Sequence, residues 1–178
     1  GLKMLKIGYL TINSERNSWV KGPSIYKLAP DTIEIVQVQH EVTHEYNAQH
    51  GSTDGDRKHQ PFVVLKAIDM ASPILNEMCC NAERITDMTL QYYVQDGQSP
   101  SPVPFYSWTL KDAYIISVKP VPPRDYGTDV EEQYDLLEEV KFSYQHIEWH
   151  HYAHRAPTGV KNLPDIIQED SWAGLAGG

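Results

Sequence analysis

Residues 32–46 read Thr-Ile-Glu-Ile-Val-Gln-Val-Gln-His-Glu-Val-Thr-His-Glu-Tyr. The apolar side chains begin on odd positions, Ile33 and Ile35, and then fall on even ones, Val36, Val38, Val42 and Tyr46. Successive strand residues point to opposite faces, so a one-residue change of phase turns every later side chain over. Inside one long strand this requires a β-bulge or a sharp bend near residues 35–36, a device of barrels and curled sandwiches. Such a strand serves two sheets.

Working outward, the same period of two recurs in segments separated by Pro, Gly and Asn clusters. On the amino side a short strand is expected over residues 3–12. An irregular connection follows over residues 13–31, which hold Gly22, Pro23 and Pro30. On the carboxyl side, the polar residues 48–59 (AQHGSTDGDRKH) read as a loop, and residues 61–68 as a compact strand carrying Phe62, Val63, Val64 and Leu65. One short helix comes next. Ser72 is placed to be its N-cap and Pro73 its first residue, where a missing N–H costs nothing. Ile74, Leu75 and Met78 then form an apolar stripe, with Glu77 and Asn81 on the wet side. As a cap, Ser72 should be worth about 1 kcal/mol over alanine. Three more stretches complete the pattern. Residues 84–94 and 105–118 are strands, and residues 136–149 are a last strand carrying Val140, Phe142, Tyr144, His146, Ile147 and Trp149. A helical turn is expected over residues 131–137. The tail beyond Tyr152 reads as irregular, with a terminal turn near residues 165–172. Gly1 and the closing Ala-Gly-Leu-Ala-Gly-Gly carry no weight. The expected fold is mainly β, a predominantly antiparallel barrel or sandwich with one short helix.

Composition removes several functions. The formal charge is −9, from 15 basic and 24 acidic residues. Nucleic-acid binding needs a dense positive face, and anionic membranes repel such a chain. No apolar run approaches the roughly 18–20 residues that cross a bilayer. Lys6 interrupts the apolar amino end, and no small-residue cleavage pattern follows, so export is expected without a cleaved signal peptide. The two cysteines, Cys79 and Cys80, are adjacent. They are expected to be reduced thiols, suited to a reducing cytoplasm.

Eight histidines raise the question of a metal. His40 and His44 share a strand face but stand roughly 13 Å apart along it. His150, His151 and His154 could chelate as a helix, where His150 and His154 lie one turn apart. Cross-strand and surface histidines are the simpler account. No HExxH, GxSxG or phosphate-binding glycine loop is present. The acidic run DVEEQYDLLEE reads as a solvated face or a subunit contact. No catalytic, cofactor or metal residue is therefore assigned.

Residues 58–94, KHQPFVVLKAIDMASPILNEMCCNAERITDMTLQYYV, resemble the centre of the Hcp (haemolysin-coregulated) family. There a strand with a lysine runs into Asp, then Ser-Pro at a helix start, then a further strand. Here these positions are Pro61, Lys66, Asp69, Ser72 and Pro73. FYSWTLKDAYIISV (residues 105–118) is similar to the penultimate core strand, and FSYQHIEWHHYAH (residues 142–154), with Trp149, to the last long one. The resemblance spans about residues 31–154. It lacks the family's glycine-rich opening, and residues 119–134 depart from it in their Pro-rich, acidic character.

The resemblance implies a partly open antiparallel β-barrel of two sheets with a flanking α-helix, one tube domain over residues 1–178. It implies six-subunit rings stacking into the inner tube of type VI secretion. The implied partners are further copies of the chain, a VgrG-type spike, the contractile sheath and baseplate, and cargo effectors in the lumen. Assembly in the bacterial cytoplasm precedes delivery to other cells. Structural roles fall to Asp69, Ser72, Pro73 and Trp149. Assembly contacts are expected at Asn47, His50, Asp54 and Arg57 of the long loop, at Glu77 and Asn81 of the helix, and at Asp125 and Glu131 of the acidic loop. A phage-tail tube subunit and a histidine-rich metal-binding protein or hydrolase are the alternatives.

Overall fold

The computed structural model describes residues 3–4, 6–156 and 161–172, so Gly1 and residues 173–178 lie outside the described part. The amino end forms β1 (Lys3–Met4) and β2 (Gly8–Ser14). In β2 the buried Leu10 and Ile12 alternate with half-buried Tyr9 and Thr11. The irregular connection returns along the barrel wall and buries Val20. It comes so close that a Cβ on Gly22 would stand 2.4 Å from the Thr32 carbonyl oxygen, and only glycine permits this.

The phase change at residues 35–36 divides the predicted second strand into β3 (Ile33–Ile35) and β4 (Gln37–Gln39). Ile33 and Ile35 are fully buried, and beyond the bend Val38 packs against the core from the other register. The even-numbered stripe does not continue inward past His40. Val42 and Tyr46 instead belong to β5 (Val42–Asn47), and both are exposed.

Residues 48–59 are not a loop. They supply the turn and the return strand, β6 (Ser52–His59), of a hairpin with β5. Both faces of this ribbon are polar, so no alternation marked it in the sequence. Its turn is set by Asn47, whose side-chain oxygen accepts the Gln49 N–H at 3.0 Å, and by Gly51 at φ +63°.

There follow β7 (Phe62–Ala67), α1 (Ser72–Cys80), β8 (Ile85–Gln95) and the 19-residue β9 (Val103–Val121). A 3₁₀ turn (Pro123–Tyr126) and α2 (Thr128–Gln133) lead to β10 (Leu137–Ser143) and β11 (His146–His151). The predicted last strand is thus two strands. They break at Tyr144–Gln145 because the sheet turns a corner there. β9 turns with them: its first half pairs with β8 and β11, its second with β10. Asp112 sits at the bend with φ +51°, and its carboxylate accepts the Arg84 Nε–H at 2.8 Å.

The tail is also more regular than expected. It forms β12 (His154–Arg155), β13 (Asn162–Leu163) and β14 (Ile166–Ser171), the last pairing with β11 along its whole length. Adjacent Ile166 and Ile167, both half-exposed on this edge strand, break the period of two and hid it.

All pairings among these strands are antiparallel. The main ladder runs β3-β2-β8-β9-β10-β7-β4. Its two ends are successive pieces of chain, bridged where the Val36 N–H donates to the Leu65 carbonyl at 2.8 Å. The result is a partly open barrel. Leu10, Ile12, Phe62, Met88, Leu110, Phe142 and Ile147 fill it. α1 flanks it and inserts Leu75 and Met78, both fully buried. Each such side chain contributes about 1.5–3 kcal/mol.

Candidate functional site

The Lys-x-x-Asp…Ser-Pro segment builds a buried polar knot. Lys66 is fully buried on β7, and its ammonium reaches Glu138 Oε2 of β10 at 2.5 Å. It also donates to the Ala67 carbonyl (2.9 Å), Asp69 Oδ1 (3.1 Å) and Ser72 Oγ (3.2 Å). The Ser72 hydroxyl donates to the same Glu138 oxygen at 2.5 Å and accepts the Asp69 N–H at 2.9 Å. Ser72 is therefore not the N-cap. Ala71 holds that position, and no side chain caps it. A buried ammonium and carboxylate demand partners more strongly than a helix end does, and they claim the hydroxyl. Asp69 orders the approach to the helix by accepting the Ala71 N–H at 2.8 Å, while Pro73 lies exposed in the first turn.

At the other end of β7 the β5–β6 hairpin leaves the barrel. Among the described residues it pairs only with itself, and its root is fastened by Asp170 of β14. Arg57 grips that carboxylate through Nε (2.9 Å) and Nη2 (3.1 Å), and His59 Nε2 donates to it at 2.7 Å. These bonds, Arg57 first, hold the Asp170 carboxyl below its ordinary value of 3.8. His59 stacks on Trp172 with ring centres 4.1 Å apart. The Tyr144 hydroxyl donates to the Gln60 carbonyl (3.1 Å), lies 3.2 Å from His59 Nδ1 and touches His40 Nε2. Burial keeps Tyr144 protonated, helped by Asp170. Trp149 packs against the core beneath, paired across strands with Trp108.

Burial, with a smaller contribution from His59, lowers the His40 pKa from 6.5 to about 4. An imidazole of this kind takes its proton more readily in the unfolded chain. Its contribution to stability is complete above pH 6.5, declines as the pH falls and is gone near pH 4. Denaturant midpoints should therefore fall between pH 6.5 and pH 4 for the natural chain and change less in His40→Gln. Asp170 acts lower: its stabilisation is present above 3.8 and lost as the pH drops through its folded value.

The expected assembly residues fall at two ends and one side of the barrel. β7 and β10 pair from Phe62↔Phe142 to Ala67↔Leu137. The hairpin, with exposed His50 and half-exposed Asn47, leaves at the first of these ends. The 3₁₀ turn and α2, with exposed Asp125 and Glu131, occupy the second, roughly 17–20 Å away. Glu77 and Asn81 are exposed on and after α1, along the flank. Asp54 lies on β6, its side chain outside the described part. Arg57 is spent within the chain, on Asp170. The roles of Glu138, Tyr144, Asp170 and Trp172 were not legible in the sequence because each acts on a residue 66 or more positions away, or on an aromatic cluster that only folding assembles.

The grouped histidines do not converge on one point. His44 is exposed on the hairpin while His40 lies at its root. His150 bonds Asp165 (2.9 Å) and stacks on Tyr152, His151 bonds the Pro164 carbonyl (2.8 Å), and His154 bonds the Tyr152 carbonyl (2.9 Å). Cys79 and Cys80 are free thiols, half-buried and exposed respectively.

Residues 9–151 match the family described as type VI secretion system effector, Hcp, from β2 to the end of β11. The chain belongs to the Hcp family. The Major exported protein of Pseudomonas aeruginosa is 28% identical to this Hcp chain over 152 residues, covering 83% of the chain and 81% of that protein. A structure of the Hcp1 protein from E. coli EAEC 042 shares the fold with a TM-score of 0.74 at 21% identity, covering 94% of this chain and 99% of that one. The secreted protein Hcp3 of P. aeruginosa gives 0.63 at 20% identity, with coverages of 94% and 99%. Hcp membership makes this a type VI secretion protein, and the knot, the corner strands and the root of the hairpin lie within the matched region, apart from Asp170 and Trp172 of the tail.

Proposed function

We propose that this Hcp chain is a tube subunit, a single domain over residues 1–178 that closes into six-membered rings. The rings stack into a tube that a contractile sheath drives from its baseplate behind a VgrG-type spike, with effectors carried in the lumen. Its work is structural and not enzymatic. It assembles in the bacterial cytoplasm and is then exported, and export is what the name Major exported protein says of its Pseudomonas relative.

The observation that carries this reading is the polarity of the subunit. A hairpin paired, among the described residues, only with itself projects at one end of the β7–β10 pair, displaying Tyr46 at 66% exposure. An acidic crossover with Asp125, Asp129, Glu131 and Glu132 exposed closes the other. Two unlike ends suit head-to-tail stacking, and a lateral heterologous contact whose rotation closes makes a ring.

Native mass by light scattering, with negative-stain imaging and a chelator as control, tests the proposal. Six-subunit rings that persist in the chelator are expected. A monomer at all concentrations would overturn it.

A further inference from the structure

A second constellation lies away from the hairpin root. On β11, Ile147 points into the core, so its neighbours His146 and Glu148 share the opposite, polar face. Glu169 of β14 stands directly across from Glu148 in the ladder. We propose that His146, Glu148 and Glu169 form a divalent-cation site, with zinc the metal that this donor set suits.

Three observations support it. One donor atom from each residue lies within 4.8 Å of the other two. The two carboxylates are cross-strand partners, and like charges placed directly opposite destabilise a sheet unless something neutralises them. Lys111, across from His146 on β9, forms no ion pair with either glutamate among the described residues. Finally, His146 Nε2 is shielded from water yet has no hydrogen-bond partner, an arrangement that normally carries a penalty. It stands 3.6 Å from Glu169 Oε2, too far for a hydrogen bond. Ligands held at about 2.0–2.2 Å around a tetrahedral zinc are about 3.4 Å apart, so the pair is already spaced as two corners of a coordination shell. Glu169 is largely exposed and free to swing the remaining distance, and water would complete the four ligands.

The cation would clip β14 to β11. Among the described residues β14 has no other neighbour in the sheet, so its attachment would gain from a bond between the two.

The test is titration of the metal-free full-length chain with zinc, and with cobalt(II) as a coloured substitute. One equivalent should bind, with visible absorption bands of a four-coordinate nitrogen-oxygen site for cobalt. Glu169→Gln and His146→Ala should each weaken binding at least about tenfold, while a His150→Ala/His151→Ala pair should leave it unchanged. Glu169→Gln alters a surface side chain, so its circular dichroism should match the natural chain. The absence of stoichiometric binding, its retention in either site variant, or its loss in the paired histidine control overturns the site.

Discussion

Glu138→Ala should destabilise the chain by about 3–5 kcal/mol, the cost of breaking a buried ion pair from one side. Lys66 has no exposed surface, and its ammonium would lose the nearest of its four acceptors together with its only fully buried counter-charge. Asp69, at 3.1 Å, would remain as a counter-charge, with the same oxygen shared with the Ala71 N–H. Ser72 would lose the acceptor for its hydroxyl as well. Such a loss is a large part of the 5–15 kcal/mol that holds most domains together. Guanidinium denaturation should show it as a lower midpoint at unchanged slope. The double variant Lys66→Met/Glu138→Leu should be less damaged than the sum of its parts, because it removes the buried pair together and leaves only Asp69 without its ammonium. If Glu138→Ala costs under 1 kcal/mol, water reaches the ammonium and the knot is not what joins β7, α1 and β10.

The second large effect should fall on assembly and spare the fold. Residues 45–56 can be replaced by Asn-Gly, a two-residue turn that suits a hairpin closed by the His44↔Arg57 pair. The shortened hairpin keeps Arg57, His59 and their bonds to Asp170, so its root stays fastened. Among the described residues, none of those deleted pairs with a barrel strand. Circular dichroism and the denaturant midpoint should therefore change little. Stacks of rings should vanish in sedimentation and negative stain, since the deleted tip includes exposed Tyr46 and His50. Stacking at the natural level would remove the hairpin from the interface.

These two predictions differ in how far the sequence foretold them. The bend at residues 35–36 was legible because burial is local and periodic: Ile33 and Ile35 faced one way, Val36 and Val38 the other. The resemblance around Lys66, Asp69 and Ser72 marked the knot, but Glu138 is supplied from 66 residues beyond Ser72, and no spacing rule reaches that far. The Ser-Pro pair looked like a cap because capping is the local use of a serine. A buried lysine overrode it. The hairpin and β14 were missed for the opposite reason: they bury little, and without a core face there is no period of two to detect. The last strand was read as continuous because nothing in Tyr144-Gln145 announces a corner that β9 makes jointly with it.

The meeting of β3 and β4 has a bearing on motion. Each has only three residues in the ladder, and the junction between them rests on the Val36–Leu65 bond and on short pairings with β2 and β7. Every other boundary in the barrel is a longer ladder. Local opening follows the thinnest set of bonds, so among the strands of the main ladder this seam is where deuterium from solvent should reach backbone amides first, well before the whole chain unfolds. The wall would breathe there, beside the aromatic groove of Tyr92, Phe105 and Trp108, while the corner strands stay shut.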